Sequence, residues 1–138
     1  MKSITNRLFV FAATAVFLGT TAFGQTTTTM RADVPFAFHI SSGGVDAGNY
    51  VIHLENGGSG KIVTVYNNDS HRSALAVTFQ LTAKPGEAIQ PRLVFRCGDT
   101  GCALSEVWTL DGGYGIHQGK PGAHEYLASI PLTVQQGN

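Results

Sequence analysis

Residues Pro91 to Leu110 read PRLVFRCGDTGCALSEVWTL, and this stretch decides the fold. Two apolar runs meet at a short loop of turn-forming residues, and the two cysteines of the chain, Cys97 and Cys102, stand on either side of that loop. If they oppose each other in an antiparallel pair, their Cα atoms lie about 4.5 to 5.5 Å apart, a separation that a disulfide accepts. The stretch therefore predicts a β-hairpin that is stapled near its tip.

The rest of the chain has the composition of a β-protein. Val, Thr, Phe and Tyr are plentiful, and the 17 glycines supply many turns. In several segments apolar and polar residues alternate with a period of two, which indicates strands with one face toward a core. Short strands at intervals of roughly 8 to 12 residues predict one antiparallel β-sandwich or barrel of about seven or eight strands.

Three segments predict which side chains face the core. They are residues 34–40, which should lie at a sheet edge or begin to pair after Pro35, and residues 49–54 and 75–81. The residues expected to point inward are Val34, Phe36, Phe38, Ile40, Tyr50, Ile52, Leu54, Leu75, Val77, Phe79 and Leu81. We further expect a loop at 111–115, irregular chain at 117–123, and a strand from Leu127 to Val134 that is broken at Pro131, with a helical turn at 124–128 as its competitor.

The first 24 residues have the pattern of a secretory signal peptide. Lys2 and Arg7 form a positive start, residues 8–18 are apolar, and Ala22 and Gly24 are the small residues that a signal peptidase reads. The apolar run is shorter than the about 20 residues that a membrane-spanning helix needs. We expect cleavage after Gly24 and a secreted or periplasmic protein without a transmembrane segment.

After the signal peptide we expect a flexible Thr-rich leader at 25–30, one all-β domain at 31–134 and a tail at 135–138. Loss of Lys2 and Arg7 leaves seven basic against nine acidic residues, so the net charge becomes −2. A surface without a Lys/Arg cluster argues against nucleic acid and against anionic lipid as partners. Small molecules, glycans and proteins remain open as ligands.

Three blocks of the chain resemble a family of small exported proteins of Acidobacteria-type soil bacteria. The blocks are residues 31–38 (RADVPFAF), 46–51 (DAGNYV), and 91–95 (PRLVF) with 104–108 (LSEVW). The family has no established activity and no defined catalytic residues, so the resemblance implies an exported β-rich domain and transfers no site. The cysteine pair and the ending from Ile130 to Val134 depart from the family pattern, in which a charged, helix-like tail is common.

The hairpin tip allows two chemical interpretations besides a structural one. A redox-active pair usually has the spacing C-x-x-C, whereas four residues separate Cys97 from Cys102, so a structural disulfide is favoured. Asp99, Thr100 and Gly101 match the triplet of aspartic proteases, in which two such aspartates share a proton. The same triplet is common in turns, and we favour the turn.

Glu106 is the second candidate acid. The register that follows from the cysteine pair places it opposite Leu93, on one face with Leu104 and Trp108. Apolar surroundings disfavour the charged form of a carboxyl group, which is how general acids are made. We favour a β-bulge that reverses the face, or an edge position where Glu106 reaches water or Arg92, because a buried unpaired charge is costly and no second acid is placed to work with it.

Histidine is the remaining metal-binding residue type. The five histidines stand at none of the spacings that put two ligands on one strand face or helix turn, so we expect surface histidines and no metal site. They are His39, His53, His71, His117 and His124. Motifs for phosphate or dinucleotide binding are missing from the sequence, and we expect no cofactor.

These patterns predict an exported binding or structural domain that is not an enzyme. Trp108 and Tyr114, with the loop at Gly112, are candidates for an aromatic binding surface, although for Trp108 the core is the favoured place. One alternative is a small hydrolase with Glu106 or Asp99 as its acid. Another is a self-assembling envelope component, based on the Thr-rich leader and on exposed edge strands.

Overall fold

The computed structural model describes residues 28–41, 43–58, 60–119 and 122–135. Eleven strands follow in chain order: β1 Thr28–Val34, β2 Phe38–Ile40, β3 Gly43–Val45, β4 Gly48–Gly57, β5 Gly60–Asn67, β6 Ser73–Leu81, β7 Arg92–Gly98, β8 Gly101–Thr109, β9 Gly112–Ile116, β10 Tyr126–Pro131 and β11 Thr133–Gln135. The prediction of an all-β domain is confirmed, and these residues contain no helix. Their strands outnumber the predicted seven or eight because three of them are only three residues long.

The hairpin predicted for residues Pro91 to Leu110 is confirmed. β7 and β8 pair antiparallel, Cys97 lies opposite Cys102, and a disulfide joins the two. Their Cα atoms are 3.9 Å apart, closer than the expected separation of about 4.5 to 5.5 Å, and the bond crosses directly between the two neighbouring strands. At the tip, β2 runs parallel to β8 and β10 runs antiparallel to β7, so the hairpin is held between two other strands. The parallel β2–β8 ladder is an exception to the purely antiparallel pairing that the sequence predicts.

The first layer of the fold is centred on the β4–β5 hairpin. β4 pairs with β1, β1 pairs with β11, and β5 pairs with the first part of β6. Tyr50, Ile52 and Leu54 are buried, as their alternation predicts. The glycine-rich connection closes the hairpin with Gly57 opposite Gly60.

The second layer begins where β6 changes partners. Residues up to Val77 pair with β5, and residues from Thr78 pair with β9. The layer continues from β9 through β8 and β7 to β10. Leu132 then separates β10 from β11, which returns to the first layer. Within the described residues β10 and β11 form no ladder with each other, so the sheet does not close into a barrel and its architecture is sandwich-like.

One hydrophobic core lies between the two layers. Phe36 and Phe38 each place their ring centroid 5.0 Å from that of Phe95, with the rings edge to face. Such a pair contributes about 0.5 to 1.5 kcal/mol beyond the burial of its surface. The segment from Val34 to Ile40 therefore contacts the stapled hairpin. Its predicted inward residues Val34, Phe38 and Ile40 are buried, and Phe36 is partly buried against the core.

The predicted orientation of β6 is wrong. Leu75, Val77 and Phe79 are 60%, 62% and 40% exposed, whereas Ala76 and Thr78 are buried. Directly paired residues of neighbouring strands share a face, and Ala76 pairs with the fully buried Val63. The core side of β5 therefore dictates the face of β6, against the apolar pattern of β6 itself. The Thr78 hydroxyl is satisfied because it donates to the carbonyl of Lys61 at 2.8 Å.

Two boundaries near the start of the domain also differ from the predictions. Thr28 to Met30, which we assigned to the flexible leader, already belong to β1 and pair with β4. Residues 34–40 are not one strand, because β1 ends at Val34 and β2 starts at Phe38. Pro35 has no N–H to donate to a ladder, which accounts for the interruption.

Of two predictions for the chain beyond the hairpin, one is wrong and one is confirmed. A loop is expected at residues 111–115, but 112–115 belong to β9, which lies between β6 and β8. The C-terminal strand with a break near Pro131 is confirmed as β10 and β11.

The predicted signal peptide and all but Gln135 of the tail lie outside the described residues. Among the residues that are described, no helix is long and apolar enough to cross a bilayer.

Candidate functional site

The β7–β8 hairpin contains a β-bulge that decides where Glu106 points. Phe95 pairs with Leu104 as expected, but the next pair is Val94 with Glu106, so Ser105 is the extra residue in β8. A bulge of this kind exchanges the two faces of a strand beyond it. The pairing of Glu106 with Leu93 that an uninterrupted register would give is therefore not formed, and the β-bulge, one of the two explanations that we favoured, is present.

Beyond the bulge, Glu106 and Trp108 lie on the outer face of the second layer. Trp108 is half-buried there and not in the core. Its indole Nε1 donates to Oε2 of Glu106 at 2.6 Å, and the guanidinium carbon of Arg92 lies 5.1 Å from the centre of the indole ring. A hydrogen bond to a carboxylate is charge-assisted and fixes both side chains. Glu106 is thus held in one orientation by a neighbour two residues away.

The outer face of β9 is made of glycine. Gly113 and Gly115 alternate with the buried Tyr114 and Ile116. A Cβ atom at Gly113 would lie 2.6 Å from the ring of Trp108, and one at Gly115 would lie 2.5 Å from the ring of Phe79. Aromatic rings therefore occupy the space that side chains of β9 would otherwise fill.

Phe79 supplies the exposed aromatic surface of this face. Its side chain comes from β6, lies over Gly115 and remains 40% exposed. The ring of His117 is 4.6 Å from that of Phe79, centre to centre, and tilted by 40°. The same change of face that contradicts the predicted orientation of β6 places Phe79 here.

Phe79, Glu106, Gly115 and His117 line an open groove of about 430 Å³ on the outer face of the second layer, which we call the outer groove. Its charged and polar lining residues are Arg96, Glu106, Ser105, His117 and Gln118, and its apolar side chains are those of Phe79, Leu81 and Leu127. Arg96 also forms a salt bridge with Glu125, with 3.3 Å between nitrogen and oxygen. The groove thus combines one exposed aromatic ring with polar groups of both charges.

The other predicted acid lies elsewhere. Asp99 and Thr100 form the exposed turn between Gly98 and Gly101, as the turn interpretation of the triplet expects. Asp99 lines a separate groove of about 340 Å³ beside the hairpin tip, together with His39. The structure therefore does not bring Asp99 and Glu106 into one site.

Tyr114 is the aromatic candidate that the structure removes from the surface. It is 9% exposed and belongs to the core cluster, because 112–116 is a strand and not a loop. The residue that the sequence interpretation missed is Phe79, which we assigned to the core. The spacing Gly113-x-Gly115 beside a strand rich in large apolar residues is the pattern that could have indicated it.

The histidines of the described residues are spread over the molecule. His53 is 3.2 Å from the hydroxyl of Thr29, and His71 is 2.9 Å from the hydroxyl of Tyr66. Within the part of the chain that the structure describes, no three His, Cys, Asp or Glu side chains form a group that could hold a metal ion. Metal chemistry therefore has no candidate centre among these residues.

Comparison with protein-family models, with curated proteins and with solved structures gives no match.

Proposed function

We propose that this protein is an exported binding domain without catalytic activity, and that its ligand occupies the outer groove. The observation that carries the proposal is the pair of outward-facing glycines in β9, which let the rings of Trp108 and Phe79 lie directly on the face of a fully paired strand. The outer groove is lined by the partly exposed ring of Phe79 and by the Glu106 carboxylate, whose orientation is fixed by Trp108. A concave site with a few oriented polar groups is the usual form of a ligand site.

The role of the Glu106 carboxylate supports binding over catalysis. One of its oxygens already accepts the indole N–H of Trp108. Hydrolysis by carboxylates generally needs a second acid within several ångströms, and Asp99 lines a different groove. Glu106 thus has the surroundings of an oriented hydrogen-bond acceptor.

A thermal-shift screen of the oxidised protein from Gln25 onward tests the proposed site. The library contains small molecules, peptides and glycans. We expect compounds that stabilise the wild type to lose their effect in Phe79→Ala and to keep it in Tyr66→Ala, a matched aromatic on the outer face of the first layer. Stabilisation that persists in Phe79→Ala, or a screen without any stabilising compound, would contradict the proposal.

A small hydrolase that uses Glu106 as its acid is the second candidate. The observation in its favour is that Glu106 and His117 line the same groove, so two groups that transfer protons face one space. Its test is the release of p-nitrophenol from p-nitrophenyl esters and glycosides. Turnover that disappears in Glu106→Gln and persists in Asp99→Asn supports this candidate, and turnover that is absent or equal in all three proteins rejects it.

Self-assembly in the cell envelope is the third candidate. β10 pairs only with β7 among the described strands, and its residues Tyr126 and Leu127 are 62% and 69% exposed. An exposed edge of this kind can pair with a second chain. Sedimentation at high protein concentration provides the test, because a monomer without higher species would reject assembly.

Export is part of the proposal and has its own test. The disulfide supports an oxidising compartment, and the N-terminal pattern supports signal peptidase cleavage. Mass spectrometry of the exported protein should give a chain that begins at Gln25. A cytoplasmic protein that keeps Met1 would contradict export.

A further inference from the structure

We propose that the outer groove binds a neutral carbohydrate, with one sugar ring stacked on Phe79 and its hydroxyl groups bonded to Glu106 and the polar side chains beside it. This inference rests on the proposed function, because it names the ligand class of the same groove.

The position of the groove argues against an extended peptide as the ligand. Phe79, Gly115 and Glu106 are direct neighbours across β6, β9 and β8, and these strands are paired with one another along the groove. A peptide that binds as an added strand needs a free edge with unpaired N–H and C=O groups. Among the lining residues only Leu127 comes from the edge strand β10, and Phe79 and Glu106 lie on the face of paired strands, so side chains carry the recognition.

The exposed ring of Phe79 fits the apolar face of a sugar. Gly115 allows the ring to lie close to the sheet, and His117 supports it at 4.6 Å. Phe79 is 40% exposed, so its ring offers an aromatic platform for the C–H groups of a pyranose. Trp108 is less open, since the guanidinium group of Arg92 covers its ring.

Glu106 and Gln118 supply oriented partners for hydroxyl groups. The Glu106 carboxylate offers about four acceptor positions, and the indole of Trp108 uses one of them. The Gln118 amide donates to the carbonyl of Leu104 at 2.6 Å, which fixes its side chain. Sugar hydroxyls both donate and accept, so they can pair with the free acceptors and with the His117 ring.

The charges of the groove fit a ligand without net charge. The lining of the groove contains one negatively charged group, the Glu106 carboxylate, and one positively charged group, the guanidinium of Arg96. Arg96 is itself paired with Glu125. An anionic or a cationic ligand would leave one of these groups facing a like charge, whereas a neutral sugar bonds to either.

Calorimetric titration of the oxidised protein from Gln25 onward with cellohexaose, laminarihexaose, maltohexaose and chitohexaose tests the inference. We expect at least one of these neutral oligosaccharides to bind with a Kd of about 1 mM or tighter. Phe79→Ala should weaken its binding at least about tenfold, and the matched variant Tyr66→Ala should leave the Kd unchanged. Gly115→Ala keeps every polar group but displaces the Phe79 ring, so it should weaken binding as well.

The outcomes separate this inference from the proposed function. If none of the four sugars binds but other compounds in the thermal-shift screen still depend on Phe79, the carbohydrate inference is refuted. Ligand binding in the outer groove is then still supported. If a sugar binds equally well to the wild type and to Phe79→Ala, it binds elsewhere and the inference is overturned. If no compound of any class depends on Phe79, both proposals fail.

Discussion

Buried polar side chains fix the far end of the β4–β5 hairpin. Asn67 is 1% exposed, donates to the hydroxyl of Tyr50 at 3.0 Å, and accepts from the backbone N–H groups of Asp69 and Ser70. The Tyr50 hydroxyl in turn donates to the carbonyl of Asp46. Burial raises the pKa of Tyr50 above its usual 10.0, and the nearby carboxylates raise it further, while the hydrogen bond from Asn67 lowers it. The neutral phenol is therefore the form that the fold stabilises.

Tyr50→Phe should destabilise the protein by about 1 to 2 kcal/mol at neutral pH, because it removes a buried donor and acceptor. Since the folded pKa of Tyr50 is raised, its protonation contributes stability below the unfolded pKa near 10, and that contribution is lost as the pH rises through the folded pKa. The difference between wild type and variant should therefore shrink above about pH 10. Urea unfolding at a series of pH values measures it.

Tyr66→Phe is the control for this measurement, because Tyr66 is only half-buried and lies on the outer face of β5. It should unfold within about 0.5 kcal/mol of the wild type. A constant difference between wild type and Tyr50→Phe from neutral to alkaline pH would contradict the stabilised neutral phenol.

At the scale of elements, a strand's own pattern predicts its existence better than its orientation. β6 is the clearest alternating segment in the sequence, and a strand is indeed present there. Its large residues nevertheless face outward, because the pairing of Ala76 with Val63 fixes the register. In β8 the orientation changes for a different reason, because the bulge at Ser105 exchanges the two faces of the strand beyond it. Period-two alternation identifies two faces of a strand but does not say which one a neighbouring strand will cover.

The disulfide should stabilise the hairpin by about 2 kcal/mol, because it closes a short loop and restricts the unfolded chain only modestly. Thermal melts of the oxidised and the reduced protein measure this, and the reduced protein should melt several degrees lower. The variant Cys97→Ala with Cys102→Ala controls for effects of the reductant elsewhere and should melt at one temperature in both conditions. Equal melting temperatures for oxidised and reduced wild type would refute the stabilisation.

At the scale of the whole molecule, Leu132 links the two layers. It is 8% exposed, belongs to the core and lies between β10 and β11. Its N–H donates to the carbonyl of Pro91 at 3.0 Å, which ties the crossing point to the start of the stapled hairpin. A substitution of Leu132 should therefore destabilise both layers.

Leu132→Ala should lower the free energy of unfolding by about 2 to 5 kcal/mol, since it leaves a cavity in the shared core. Urea unfolding monitored by Trp108 fluorescence and by circular dichroism should shift by the same amount with both probes, because a single core unfolds cooperatively. Leu110→Ala, whose side chain is 69% exposed, should change stability by less than about 0.5 kcal/mol. Transitions that separate between the two probes would show that the layers unfold independently.

The sequence by itself determined the strand class, the stapled hairpin and the break near Pro131, because alternation, cysteine spacing and a missing N–H act over a few neighbouring residues. Only the tertiary structure decided that Phe79 faces outward, that Tyr114 is buried and that Glu106 is held by Trp108. The first two depend on pairing between strands that are distant in sequence, and the third depends on the bulge in the β7–β8 hairpin. A shift of one residue in register moves every side chain to the other face, so the outer groove exists only once the strands have paired.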